Sequence, residues 1–168
     1  QLRPVHLVRD PLPPAEPRGG LTATLVIGIG NDDRHDDAAG LATARLLRSG
    51  ADAGRALPRV LELGGEATEL IEAWGGETTV IVADAMVSGA APGTVRRFDA
   101  AREPLPAAPT ATSTHGLGLA EAVALARALG RLPARLVLVG IEGADFSPGR
   151  GLGPAVAAPF LRPPAACR

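Results

Sequence analysis

Short apolar runs alternate with segments of helical period along most of this chain, and few architectures tolerate that pattern. TATLVIGIG (22–30) reads as a buried strand. DDAAGLATARLLRSG (36–50) reads as a helix with an apolar face through Leu41, Ala42 and Leu46, ended by Gly50. RVLEL (59–63) is a second strand, EATELIEAW (66–74) a second helix, and TTVIVADA (78–85) a third strand. The near-continuous apolar run of that third strand belongs to a sheet covered on both faces. GTVRRFD (93–99) reads as a further strand, HGLGLAEAVALARAL (115–129) as a helix despite two glycines, and ARLVLVGIE (134–142) as a last buried strand. GLGPAVAAPFL (151–161) begins a short final helix, against which Pro159 counts. Strands and helices in this alternation predict an α/β fold with a parallel, helix-covered sheet.

The chain has 168 residues, of which 46% are hydrophobic and 21% charged, enough for one compact domain with a real core. One Trp, three Phe and no Tyr leave that core to Leu, Val, Ile and Ala. Residues 1–20 carry prolines and a Gly pair ahead of any periodic pattern and read as an extended arm. The expected organisation is therefore an arm at 1–20, a single domain at 21–161 and a tail at 162–168. The Pro-rich segment 99–112 and the Gly-rich segment 142–151 read as irregular or mobile loops suited to contacting a partner.

A net charge of −1, with basic residues scattered among acidic ones, offers no basic stripe for a phosphate backbone, so nucleic acid is not expected as a partner. All seventeen basic residues are Arg, which fits a coding bias better than a ligand-binding role. The lone Cys167 forms no internal disulfide, in keeping with a reducing cytoplasm. No apolar run approaches the ~18 residues that span a membrane. The N-terminal stretch lacks the apolar segment of a signal peptide, although the chain starts at Gln and a removed leader stays open.

Three places carry possible chemistry. Gly28-Ile29-Gly30-Asn31-Asp32-Asp33-Arg34-His35-Asp36-Asp37 stands at the first strand-to-helix turn and superficially matches a dinucleotide fingerprint. The third glycine of that fingerprint falls on Asp33, and acids crowded at a helix N-terminus repel a pyrophosphate. Asp36 and Asp37 fit helix capping, but four acids and a histidine within six residues exceed what a cap requires. Asp84 closes the apolar run VIVA at the same carboxyl edge, where an unpartnered carboxylate is costly. His115 follows Thr112-Ser113-Thr114 at a helix start. Two carboxylates from separate strand ends plus an imidazole form an oxygen and nitrogen set suited to nickel or zinc. No nucleophile elbow competes with it.

These residues stand in an ordered series. Gly28-x-Gly30-Asn31 with Asp36-Asp37 and Gly40 comes first, then Gly65-Glu66-Ala67-Thr68-Glu69-Leu70, then Ala83-Asp84-Ala85 with Pro92-Gly93-Thr94. Thr112-Ser113-Thr114-His115 follows, and Gly140-Ile141-Glu142-Gly143 leading to Gly151-Leu152-x-Pro154 completes it. From Leu25 to Val156 the chain resembles the hydrogenase maturation proteases. The resemblance implies a three-layer α/β/α sandwich around a mostly parallel, twisted sheet. It also implies an endopeptidase that removes the C-terminal extension of a nickel-loaded nickel-iron hydrogenase large-subunit precursor. Asp37, Asp84 and His115 would contact a nickel ion that arrives with the precursor, with zinc or cadmium able to substitute.

Several positions depart from the family pattern: Asp37 stands where some members have Glu, Asp33 where an apolar residue is usual, His35 where a small one is, and Ala38 where Gly is common. His35 or Asp33 is thereby a candidate auxiliary ligand. Two other readings stand beside the protease: a nickel-binding accessory protein that docks on the precursor without cutting it, and a nucleotide-binding α/β module.

Overall fold

The computed structural model describes residues 24–49, 58–75, 77–103 and 116–161. The expected arm at 1–20 and tail at 162–168 lie outside the described residues. Five strands form one sheet: β1 (Thr24–Ile29), β2 (Arg59–Leu63), β3 (Thr79–Met86), β4 (Val95–Asp99) and β5 (Arg135–Glu142). Among the described residues four α-helices accompany them: α1 (Ala39–Ser49), α2 (Ala67–Ala73), α3 (Gly116–Ala128) and α4 (Pro154–Leu161). The strand order is β2-β1-β3-β5-β4, with β4 alone antiparallel, paired through Phe98 opposite Leu138. The mostly parallel, helix-covered sheet is therefore as the sequence pattern requires.

Alternation along the strands sorts the core into two layers. Leu25, Ile27, Val80, Val82, Leu136 and Leu138 face Leu70, Ile71 and Trp74 of α2 and Leu119, Val123 and Ala126 of α3. On the opposite face Ala85 and Ile141 meet Ala39 of α1 and Val156 of α4. This is the α/β/α sandwich. Helix α1 lies unusually close to its strands: a Cβ on Gly28 would overlap the Gly40 carbonyl, and a Cβ on Gly40 would overlap the carbonyls of Ile29 and Ala83. The two glycines let backbone meet backbone where any side chain would separate helix from sheet.

Two expectations are corrected here. The first helix does not begin at Asp36: a 3-10 turn, His35–Ala38, precedes α1, because Asp36 is bonded elsewhere. Helix α4 starts with Pro154 in its first turn, where no N–H is required, and its backbone runs through position 159 to Leu161.

Candidate active site

Strand β1 is followed by β2 on one side and β3 on the other, with α1 on one face of the sheet and α2 on the opposite face. Right-handed crossovers produce this arrangement, and it opens a crevice at the carboxyl ends of β1 and β3. Two of the expected site residues come from these strand ends. Asp37 lies in the 3-10 turn after β1 and is 1% exposed; Asp84 lies within β3, paired opposite Gly140, and is 8% exposed. Strand β3 continues two residues beyond Asp84 to Met86. By alternation Asp84 shares the α2/α3 face with Val80 and Val82. The first turn of α3 reaches the same edge, since a Cβ on Gly118 would overlap the Gly65 carbonyl. His115 and the hydroxyl residues 112–114 lie outside the described residues. Among the described residues no group of three or more His, Cys, Asp or Glu is placed to hold a metal.

Asp37 is set by the backbone around it. Its N–H donates to the Arg34 carbonyl at 3.0 Å, and its own carbonyl lies so close to Gly30 that a Cβ there would overlap it. Gly30 has φ +155°, and the chain turns on it from strand to loop.

Asp36 does something else entirely. It caps no helix; its Oδ2 accepts the N–H groups of Ala144 and Asp145 at 2.9 and 3.0 Å, and its Oδ1 accepts that of Gly153 at 2.7 Å. Its neighbours reach the same loop. The Arg34 guanidinium donates to the Phe146 carbonyl at 3.0 and 3.1 Å, and the His35 N–H donates to Gly149. His35 Nδ1 donates to the Gly151 carbonyl at 3.0 Å, and its ring lies against the Gly149 Cα. Arg150 pairs with Asp33 at 2.8 Å. The segment 142–151 is thus bound to the first motif, not a loose loop. His35 and Asp33, the candidate auxiliary ligands, are both bonded to this segment.

Glu142, at the end of β5, is a fourth buried carboxylate, to which sequence reasoning gave no role of its own. At 2% exposure it accepts the Ser88 N–H and hydroxyl, both at 2.7 Å, and the N–H groups of Gly89 and Ala90 at 2.8 and 3.2 Å. It thereby holds the loop that leaves β3 just after Asp84. The available signal was an acid ending a buried strand before Gly143.

Beside the crevice runs an open groove of about 540 Å³, lined by Gly30, Asp32, Asp33, Arg45, Glu62 and Arg150 among others. Arg45 spans it, donating to both oxygens of Asp32 at 2.7 Å and to Glu62 at 2.8 Å, while Arg48 also pairs with Glu62. The bond from Arg45 holds the Asp32 carboxyl below its ordinary value, and Asp32 with Glu62 raises that of Arg45. The Asp145 carboxyl is lowered by bonds from Ser147.

Comparison with known proteins fits this geometry. The family model described as hydrogenase maturation protease matches residues 50–160, a stretch that includes positions 84 and 115 but begins after the first motif. Hydrogenase 2 maturation protease of Escherichia coli (strain K12) is 36% identical over 139 residues, 80% of this chain and 81% of that protein. The structure of the hydrogenase maturating endopeptidase HybD from E. coli aligns with a TM-score of 0.63 and 30% identity, covering 80% of this chain and 83% of that one. The [NiFe] hydrogenase maturation protease HybD from Thermococcus kodakarensis gives a TM-score of 0.64 and 29% identity over 80% of this chain and 89% of that one.

Proposed function

Since the chain belongs to the hydrogenase maturation protease family and is an endopeptidase of hydrogenase maturation, we propose the substrate and the residues through which it acts. It cuts the C-terminal extension from a nickel-loaded nickel-iron hydrogenase large-subunit precursor, with Asp37, Asp84 and His115 as the residues that meet the precursor's nickel. The observation that carries this reading is the placement of two buried carboxylates, Asp37 and Asp84, at the carboxyl ends of adjacent strands at the switch point of the sheet. Their chemistry fits the metal: buried oxygen donors need a cation or a donor network, and His115 directly precedes α3, whose first turn lies against Gly65 at the same edge.

Three protein donors leave positions for groups of the precursor, so a precursor without nickel would be held weakly. When bound, nickel supplies polarisation of the scissile carbonyl. Asp37 or Asp84 then takes the proton of the attacking water and returns it to the departing amine as the C–N bond breaks. The open groove beside the first motif receives the extended tail. The work is cytoplasmic, where Cys167 stays reduced; among the described residues no helix is long and apolar enough to cross a membrane.

Intact mass spectrometry tests this directly. The precursor, nickel-loaded or nickel-free, is incubated with the protein and with its Asp84→Asn and His115→Ala variants. Loss of a C-terminal peptide only with nickel and only with the unaltered protein is the expected result. A precursor that binds in a nickel-dependent way yet stays whole would instead identify a non-cleaving accessory protein.

A further inference from the structure

The turn that presents Asp37 is strained, and the residue beside it anchors what holds the strain. His35 has φ +45°, a region that non-glycine side chains seldom occupy and that persists only where surrounding contacts over-determine it. Contacts from the loop 143–153 reach each of Arg34, His35 and Asp36. His35 is tied to Gly149 and Gly151, Arg34 to Phe146, and the Asp36 N–H donates to the Asp145 carbonyl at 2.9 Å. The Asp36 carboxylate is the buried centre of this set, gripping both ends of the loop at once through Ala144, Asp145 and Gly153. Apolar packing already exists here, with Phe146 and Leu152 against the Ala39, Ile141 and Val156 cluster. What a carboxylate adds is direction: three N–H donors at two points of the loop fix its register against the turn.

We propose that Asp36 is a positioning residue for the cleavage reaction: by binding the backbone of the 143–153 loop it keeps the strained turn in place and so fixes where the adjacent Asp37 carboxylate stands. The proposal rests on the reading of Asp37 as a site residue. Reacting groups displaced by about 1 Å lose on the order of a hundredfold in rate, so the effect belongs in kcat.

The test is cleavage of the nickel-loaded precursor by Asp36→Asn, followed by mass spectrometry over time, together with hydrogen exchange of the folded protein. Expected are a fall in kcat of about tenfold or more, a KM within about threefold, and faster exchange at the amides of Ala144, Asp145 and Gly153 with the β1, β3 and β5 amides unchanged. Unchanged kcat with the three amides exchanging fast would overturn the proposal, leaving Asp36 a purely structural residue. Should Asp36→Asn fail to fold, Arg34→Gln loosens the loop at Phe146 without touching the buried carboxylate. A smaller fall in kcat is expected there, and none would overturn the idea. Asp37→Asn in the same assay separates the two readings. Full cleavage by that variant removes Asp37 from the site and the positioning role with it. An inactive Asp37→Asn beside a fully active Asp36→Asn removes the positioning role alone.

Discussion

Two kinds of carboxylate border the same sheet edge. Asp36 and Glu142 are almost wholly buried and accept seven donors between them, six backbone amides and the Ser88 hydroxyl. Asp32 and Asp33 stand in the open and bond to the arginines Arg45 and Arg150, whose side chains are themselves 47% and 81% exposed. The difference lies in what each partner gives up. Amides of a folded loop have little remaining freedom and meet a carboxylate that is itself almost wholly buried, whereas an exposed arginine surrenders rotamer entropy and exchanges good hydration for a screened pair. The buried acids should therefore hold the edge together, and the exposed pairs should trim it.

The largest effect is expected at Glu142. Glu142→Ala removes the buried carboxylate that the amides of Ser88, Gly89 and Ala90 share, and at roughly 1.5–3 kcal/mol for a hydrogen bond to a charged group, less what water restores at this half-exposed loop, the loss should reach about 3 kcal/mol. In a domain of this size that lowers Tm by roughly 6–12 °C, measured by calorimetry or circular dichroism. A loss below about 1 kcal/mol would mean that water reaches these amides and that burial does not separate the two classes. Asp36→Ala should follow at about 2–3 kcal/mol, with three amides losing their acceptor, two of them adjacent and able to share a water. Urea denaturation with an unchanged slope would show that the loss is one of stability alone.

Why these two residues were hard to read in the sequence follows from the same contrast. The sheet was legible because burial repeats locally: RVLEL forms β2 over Arg59–Leu63, and the runs around Ile81 and Val137 form β3 and β5. The antiparallel course of β4 was not, because strand direction is decided by the connection and leaves no mark on VRRFD. Asp36 and Asp37 are chemically identical neighbours, and only the distant amides at 144, 145 and 153 mark Asp36 as a clamp and leave Asp37 as the proposed site residue. Capping was the local explanation for both, and Asp36 departs from it by accepting the amides of a distant loop. Glu142 reads as the polar end of an apolar strand until its partners, more than fifty residues earlier, are known. Asp84 was legible because position within β3 alone takes it to the edge. His115 lies outside the described residues, so its part in the site rests on the motif.

The exposed class is best probed at Arg45, where the effect should be smaller. Arg45→Ala releases Asp32 and one of the two arginines on Glu62, but both partners keep access to water and Arg48 still pairs with Glu62. A loss of no more than about 1 kcal/mol is expected at low salt, shrinking as added salt screens the pair. A loss as large as that of Asp36→Ala would break the comparison, and would mark Arg45 as a structural bolt between α1, β2 and the first motif.

Acid gives the finest test, because protonating Asp32 removes its charge without removing an atom. Arg45, and to a lesser degree Arg150, hold the Asp32 carboxyl below its ordinary value of 3.8. A carboxyl depressed in the folded state contributes stability above its unfolded value, and that contribution is lost as pH falls through the lowered folded value. With the Asp32 side chain 46% exposed, the contribution is discounted to a few tenths of a kcal/mol. Carboxyls that do not touch Arg45 contribute equally to the unaltered protein and to Arg45→Ala, so the difference between the two isolates Arg45 with its partners Asp32 and Glu62. Denaturation at neutral pH should show Arg45→Ala slightly the weaker, and the gap should close as pH falls below 3.8. A gap that persists in acid would have to come from the packing of the Arg45 stem over the groove, and the exposed class would then hold the edge by contact and not by charge.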